Sequence, residues 1–371
     1  MKIIGFFLIL SPVFSAAQTI EFDYSCCKEK VVKIKADERS GIYILNATVE
    51  RLLLPEPCHK GCLYTKTDDP SGELFCFGDG DIGSECRVLD TVYLFGGTTG
   101  KAEGYPCDRA FFNRESKIEA AGITEYNGSY YVCGGWVGGI RSPWCLTNLV
   151  SPTSFSHLAV MDLEKEYITL NTVGDMIVMT GGAGYTDEYD MIEILNGKKW
   201  ELLMTMTSPR AQHCGTTVSN EEFILIGGLS GTNVLSTTEL YNIRTKQIQP
   251  LSSMPTPRYG CACTYHSSDI YVAGGLTTYS STQAVNTVEV YRVDTGVWQT
   301  FKNCIDGSQE MNTGRIRFTL DVVNEVLAVF GGESTEAIQS METYSEEDEK
   351  WIQKTTKFEH KDHLSIIIPC N

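Results

Sequence analysis

Histidine is scarce in this chain of 371 residues: only His59, His157, His213, His266, His360 and His363. A catalytic metal centre draws on two or three such side chains in one place, and no pair here is spaced to supply one. There is no CxxC pair, no HExxH, no GxSxG and no glycine-rich loop ending in Lys-Ser/Thr. Zinc knuckles, zincin-type proteases, α/β-hydrolase chemistry and P-loop nucleotide binding lose their sequence basis accordingly. Positive charge is also short. Lys and Arg number 30 against 47 Asp and Glu, a formal net charge of −17, which argues against nucleic acid or an anionic membrane surface as partner. Beyond the first residues no segment approaches the roughly 20 apolar residues of a membrane span, and the tail HLSIIIPCN is too short for a lipid-anchor signal.

What is present begins with a leader. Met1-Lys2, an apolar stretch from Ile3 to Phe14, then Ser15-Ala16-Ala17 follow the order of a secretory signal peptide, expected over residues 1–17 with cleavage after Ala17. All 14 cysteines follow it, which in an exported chain argues for disulfides. Residues 18–88 hold Cys26, Cys27, Cys58, Cys62, Cys76 and Cys86 in a segment rich in Gly, Pro and Asp. We expect there a small, loop-rich, disulfide-held module. Its GDGDIGSE run has calcium-loop composition without the full twelve-residue pattern, and reads better as an acidic surface turn.

From residue 89 onward the texture changes. Six apolar runs each end in a glycine pair: VYLFGG (Gly96-Gly97), YYVCGG (Gly134-Gly135), MIVMTGG (Gly181-Gly182), FILIGG (Gly227-Gly228), IYVAGG (Gly274-Gly275) and LAVFGG (Gly331-Gly332). The second glycines lie 38, 47, 46, 47 and 57 residues apart, a period that suits a four-stranded propeller blade and exceeds ankyrin or leucine-rich units. Short alternating apolar runs read as strands. A glycine pair after such a run permits positive φ and close backbone approach. The four C-terminal units share more: Glu193 and Trp200; Glu239 and Tyr241; Glu289, Tyr291 and Trp298; Glu342, Tyr344 and Trp351. Leu195 and Ile248 stand where a tyrosine and a tryptophan would complete the pattern, and SPR and TPR place Arg210 and Arg258 at the start of two units.

On these residues the segment 89–371 resembles the kelch repeats, strongly over the last four units and less over the first two. The resemblance implies an all-β, six-bladed kelch-type β-propeller around a central channel. The glycine pair would end each second strand, the tyrosine would lie in the third and the tryptophan would mark the fourth. Six units must close into a ring, because an open one leaves strand edges unpaired. The first unit has little room for an inner strand of its own, while His363 to Pro369 is a spare apolar strand. We expect this tail to supply it.

The repeated arginines suit scaffold bonds to carbonyls or a neighbour's glutamate, and His213 suits packing near an inner strand. His360 and His363 are expected to be solvated or near the closure. Cys133 is expected to pair with Cys145, and Cys214 with either Cys261 or Cys263. Asn46-Ala47-Thr48 and Asn127-Gly128-Ser129 are glycosylation sequons, the second at an Asn-Gly hairpin turn. The propeller copper oxidases need a thioether-linked Tyr–Cys pair and two histidines, for which no suitable pair exists here. We therefore expect no catalytic residue, no cofactor and no metal. The expected function is that of a secreted, extracellular, non-enzymatic module that binds or scaffolds a protein through its face loops. A carbohydrate-binding or carbohydrate-active propeller and a structural component of a matrix or coat are the alternatives.

Overall fold

The computed structural model describes residues 90–98, 101, 103–105, 117–151, 154–301, 310–345, 350–356 and 359–369, together with short strand segments before residue 78. Apart from those segments, the leader at 1–17, the Cys-rich module at 18–88 and Asn46 lie outside the described residues. One compact unit comprises Thr91–Tyr105 and Arg109–Ile368; a second comprises Met1–Asp90 with Pro106–Asp108 and Pro369–Asn371. The first carries everything below.

Every regular element described is a β-strand, and the strands form a propeller-like arrangement of antiparallel meanders. The Gly228 unit pairs Cys214–Thr217, Glu222–Ile226, Thr238–Asn242 and Gln247–Pro250 in chain order. The Gly275 unit does the same with Ala262–His266, Asp269–Ala273, Val288–Arg292 and Val297–Thr300. So does the Gly332 unit, with Thr319–Val323, Val326–Phe330, Ser340–Ser345 and Lys350–Thr355. The Gly135 unit (Gly122–Tyr126, Ser129–Cys133, Trp144–Ser151, Ser154–Val160) and the Gly182 unit (Thr169–Val173, Met176–Thr180, Met191–Asn196, Lys199–Thr205) repeat the meander. They touch edge to edge through the parallel pair Val160–Lys199. For the Gly97 unit, the tail strand His363–Pro369 lies beside Asp90–Gly96, which pairs with Glu103–Tyr105.

The burial pattern explains the composition of each strand. In Glu222–Ile226 the last four residues are all buried, because the second strand of a unit is covered on both faces by neighbouring units, and a run of consecutive apolar residues results. Lys199–Thr205 is exposed at the outer edge except around Trp200, so charge is tolerated there. Side chains of successive units interlock. Val178 and Ile192 pack with Phe223, Leu225 and Tyr241; Ile224 and Ile226 pack with Ile270, Val272, Tyr291 and Trp298. One cluster joins Val92 and Leu94 of the first unit to Val323, Ala328, Phe330 and Met341 of the last.

The tyrosine and tryptophan positions meet across third and fourth strands, as Tyr291–Trp298 and Tyr344–Trp351. Leu195–Trp200 and Tyr241–Ile248 occupy the same register. Large flat side chains at that register fill the space between meanders that fan outward.

A buried ionic fastening recurs inside the units. Arg210 donates to Glu239 Oε2 at 2.8 Å and to the Gly227 carbonyl at 3.3 Å. Arg258 donates to the Gly274 carbonyl at 2.8 Å and lies 3.3 Å from Glu289. Arg315 donates to the Gly331 carbonyl and to Glu342, both at 2.7 Å. Lys165 pairs with Glu193 in the same way. All three arginine residues are fully buried; a charge removed from water persists only when paired and hydrogen-bonded. The glutamate belongs to the arginine's own unit, not to a neighbour, because the first turn of each unit folds back over its third strand. The same turn also links neighbouring units through backbone. Gly182 N–H donates to the Arg210 carbonyl at 2.9 Å, and Gly228 and Gly275 N–H to those of Arg258 and Arg315 at 2.8 Å. The second glycine carries φ of 95° and 103° at Gly182 and Gly228, a conformation that disfavours any side chain.

Candidate functional site

Two residues past each of these starts, the chain turns through a left-handed residue. Ala120, Tyr167, Gln212, Gly260, Arg317 and Asp362 have φ of 54°, 56°, 50°, 64°, 53° and 52°. Their backbones are bonded in series. Tyr167 N–H donates to the Ala120 carbonyl at 2.8 Å, Gln212 to Tyr167 at 3.3 Å and Gly260 to Gln212 at 2.9 Å. Arg317 donates to Gly260 at 3.1 Å and Asp362 to Arg317 at 3.3 Å. The six residues, one from each unit, surround a cavity of about 160 Å³, floored by His213, Cys261 and His363. Left-handed backbone costs a non-glycine residue of order 1 kcal/mol, yet only one of the six positions is glycine.

Charge is concentrated on one arc of the cavity. Arg317 Nη1 donates to Glu333 Oε1 at 2.9 Å, its Nε lies 3.8 Å from Asp362 Oδ1, and Lys361 Nζ reaches Glu333 Oε2 at 2.5 Å. The Arg317 guanidinium sits 5.3 Å from the Tyr167 ring centroid, a cation–π distance. Burial pushes the Asp362 carboxyl up to about 6, with Arg317 pulling the other way. Burial, then the Asp362 charge, raises the Tyr167 hydroxyl.

The floor is neutral. His213 Nε2 bonds Thr180 Oγ1 at 2.9 Å and Thr169 Oγ1 at 3.1 Å; burial, then Arg210, lowers its pKa to about 3. His363 Nε2 bonds Thr319 Oγ1 at 3.2 Å and is held uncharged by burial, then by His360 and Arg315. Burial drives the Cys261 thiol up to about 11, away from the reactive thiolate. His213, Cys261 and His363 can accept and donate hydrogen bonds and stack, while Arg317, Glu333, Lys361 and Asp362 pair charge. Among the described residues, no group of three or more His, Cys, Asp and Glu is placed to hold a metal ion.

The comparisons with known proteins follow the same repeats. The KLHDC2/KLHL20/DRC7 Kelch-repeats domain model matches residues 167–364. The chain belongs to the kelch-repeat family. It is similar to Kelch repeat protein C2 of Cowpox virus, 24% identical over 57% of this chain and 40% of that protein. It is similar to Kelch-like protein 23 of Pongo abelii, 26% identical over 58% of this chain and 38% of that protein. Beta-scruin of Limulus polyphemus is 39% identical over 23% of this chain and 9% of its own length. The chain thus spans less than half the length of these relatives. Kelch-repeat propellers are typically protein-binding or scaffold modules.

The other residues singled out in the sequence of this kelch protein fall in three places. Tyr241, Tyr291, Tyr344, Trp200, Trp298 and Trp351 sit in the scaffold, and Gly97, Gly228 and Gly275 press against the floor residues His363, His213 and Cys261. Cys133 and Cys145 stand opposite each other on adjacent strands and are disulfide-bonded, Cα–Cα 4.1 Å; Trp200 Nε1 donates to Cys145 Sγ at 3.1 Å. Cys214 is bonded to Cys263 across two units, Cα–Cα 5.8 Å, and Cys261 is a free thiol. Two residues separate the choices: Cys261 is drawn under Gly275, whose missing Cβ leaves it room. Asn127 is exposed at a two-residue turn, with Asn127 and Gly128 at φ 51° and 74°. His360 and His363 are 1% and 5% exposed, so they belong to the junction between first and last units and are not solvated.

The sequence pattern singled out none of Tyr167, Gln212, Arg317 and Asp362. A signal existed: KEY, RAQ, RYG, RIR and HKD occupy one place in successive units, their third residue facing the cavity. Without the glycine-to-carbonyl links, the Lys165 and His360 segments could not be aligned with the arginines.

Proposed function

We propose that residues 89–371 form six blades closed by the tail strand His363–Pro369, and that the central cavity and its rim bind a protein partner in the extracellular space without catalysing a reaction. The observation that carries the binding role is the retention of Tyr167, Gln212, Arg317 and Asp362 at left-handed positions where the backbone favours glycine. Strain kept at a repeated position marks a function outside the scaffold. Exposed aromatics in the loops that follow two glycine pairs add apolar contact. Tyr185 and Tyr279 are 80% and 57% exposed, and the Tyr185 ring lies 4.2 Å from the Arg141 guanidinium. Exposed aromatic side chains near a concave centre suit a protein interface.

The test is capture of partners from secreted material with the wild-type chain and with a Tyr167→Gly/Arg317→Gly double variant. Glycine suits both backbones, while loss of Arg317 leaves Glu333 and Asp362 to Lys361 alone; the variant's fold is therefore checked first by its unfolding midpoint and its backbone NMR spectrum, and the folded variant is expected to lose partner capture at least tenfold. Equal capture by the two proteins sinks the reading. Export, the leader and glycosylation of Asn127 belong to the same proposal, supported by the leader composition, the two disulfides and the exposed turn. Mass spectrometry of secreted protein is expected to find a chain beginning near Gln18 and a glycan on Asn127. A chain retaining Met1, or carrying Asn127 bare, counts against it.

A further inference from the structure

Two polar atoms of residues that line the central cavity are buried without a hydrogen-bond partner: the acceptor Gln212 Oε1 and the donor Arg317 Nε–H, the latter 3.8 Å from Asp362 Oδ1. They flank Gly260, whose N–H donates to the Gln212 carbonyl at 2.9 Å and whose carbonyl accepts from Arg317 N–H at 3.1 Å. Gly260 contributes no side chain. A Cβ there would stand 3.4 Å from Gln212 Oε1 and 3.5 Å from Ile316 Cβ, so any larger residue would occupy the slot between the two polar groups. An unpaired buried donor and an unpaired buried acceptor are each costly to leave so. Both are satisfied by one group that carries a carbonyl and an N–H side by side.

We propose that the slot over Gly260 seats one neutral amide of the partner, a peptide bond or a carboxamide side chain. Its N–H donates to Gln212 Oε1 and its carbonyl accepts from Arg317 Nε–H. This rests on the binding role proposed for the cavity and names the chemistry that role requires. Charge balance separates an amide from an ion. Arg317 and Lys361 already face Glu333 and Asp362, and Arg141 is held by Glu166 at 2.7 Å. A further anion would meet the Glu333 and Asp362 carboxylates with Glu119 nearby, and a further cation would meet Arg317 and Lys361. The volume of about 160 Å³ accepts an amide with a short apolar stem, and the neutral floor of His213, Cys261 and His363 adds no competing charge. Gln212 and Arg317 are then specificity-determining residues.

The experiment titrates the isotope-labelled full chain with four small probes and follows the Gly260 backbone amide and the Arg317 Nε–H by NMR. The probes are propionamide, N,N-dimethylpropionamide (which lacks the N–H), propionate and propylammonium. Propionamide is expected to shift both signals, and the dimethyl compound to bind at least threefold more weakly. Gln212→Leu is expected to abolish that difference while leaving distant strand signals unmoved. The inference is overturned if propionate or propylammonium shifts the same signals as strongly as propionamide. It is overturned equally if no probe moves them, or if Gln212→Leu keeps the preference for the N–H. The broader reading is decided separately, by partner capture with the Tyr167→Gly/Arg317→Gly variant. A cavity that binds an ion therefore fails this inference and leaves that reading standing.

Discussion

The four C-terminal units and the first two are held by different fastenings. In the Gly182, Gly228, Gly275 and Gly332 units, φ is 57–62° at the first glycine and 91–103° at the second. In the Gly97 and Gly135 units the pairs are 77° and 67°, and 69° and 70°. The four later units hold their turn with a buried cation and glutamate: Lys165–Glu193, Arg210–Glu239, Arg258–Glu289 and Arg315–Glu342. In the Gly135 unit the carbonyl that receives the glycine N–H of the preceding unit belongs to Ile118. Leu146 pairs with Val132, where the later units place glutamate. Both ionic partners have been exchanged for apolar ones, and the disulfide Cys133–Cys145 sits one residue away. A buried ion pair can be replaced whole at little cost, whereas losing one member leaves an unpaired charge. The first unit borrows its third fastening from the far end of the chain, through His363–Pro369.

The largest effect should come from breaking that borrowed part. Ending the chain at Trp351 removes Leu364 and Ile366 from their cluster with Phe95, Tyr130 and Val132, and leaves Asp90–Gly96 without its neighbour. An exposed edge and an opened core together remove much of the roughly 5–15 kcal/mol that holds a domain. The truncated protein is expected to aggregate or stay in the cell, read by size-exclusion chromatography and limited proteolysis. A monomeric, protease-resistant product ending at Trp351 would show that the tail does not close the arrangement.

Next in size is the exchange of fastenings. Lys165→Met alone strands the Glu193 carboxylate and should cost about 3–5 kcal/mol in urea unfolding. Lys165→Met with Glu193→Leu copies the Ile118/Leu146 solution and should recover most of it, to within about 1–2 kcal/mol of wild type. A double variant as unstable as the single one would mean that the two regions are not interchangeable solutions to one packing problem.

The smallest expected effect concerns pH at the junction of last unit and tail. Burial raises the Asp321 carboxyl from 3.8 to about 6, against hydrogen bonds from Ser365 and Thr319, and its Oδ2 is sealed from water without a partner. A carboxyl with a raised folded pKa binds its proton more tightly folded than unfolded. Its contribution is therefore fully present below pH about 4 and lost as pH rises through about 6. Asp321→Asn should stabilise the protein by about 1–2 kcal/mol at pH 7 and by nearly nothing at pH 4. Equal unfolding midpoints for the two proteins at both pH values would remove Asp321 from the account.

Much of this was legible in the chain itself, and for a local reason. Gly-Gly after a buried run, Tyr or Leu opposite Trp or Ile, and Arg before an inner strand are each fixed within one unit. Because the units repeat, each reading is checked several times over: the FILIGG, IYVAGG and LAVFGG strands lie where their spacing places them. The spare strand was legible by the same logic, since a unit without an inner strand and a strand without a unit stand at opposite ends.

The cavity was not legible, because its residues come one from each unit and are selected by the turn that carries them, not by their type. Tyr167, Gln212, Arg317 and Asp362 share no side-chain chemistry; what they share is a place two residues past the start of a unit and a left-handed φ of 56°, 50°, 53° and 52°. The choice of Cys263 over Cys261 for Cys214 had the same character. Both cysteines lie on one short segment, and only the stacking of one unit on the next, with Gly275 pressed over Cys261, decides which sulfur faces across. Sequence set the repeat, the strands and the positions that must be glycine, since backbone sterics act between near neighbours. Which side chains meet at the centre, and which fastening each unit uses, depends on contacts between units tens to hundreds of residues apart, and only the tertiary structure fixes those.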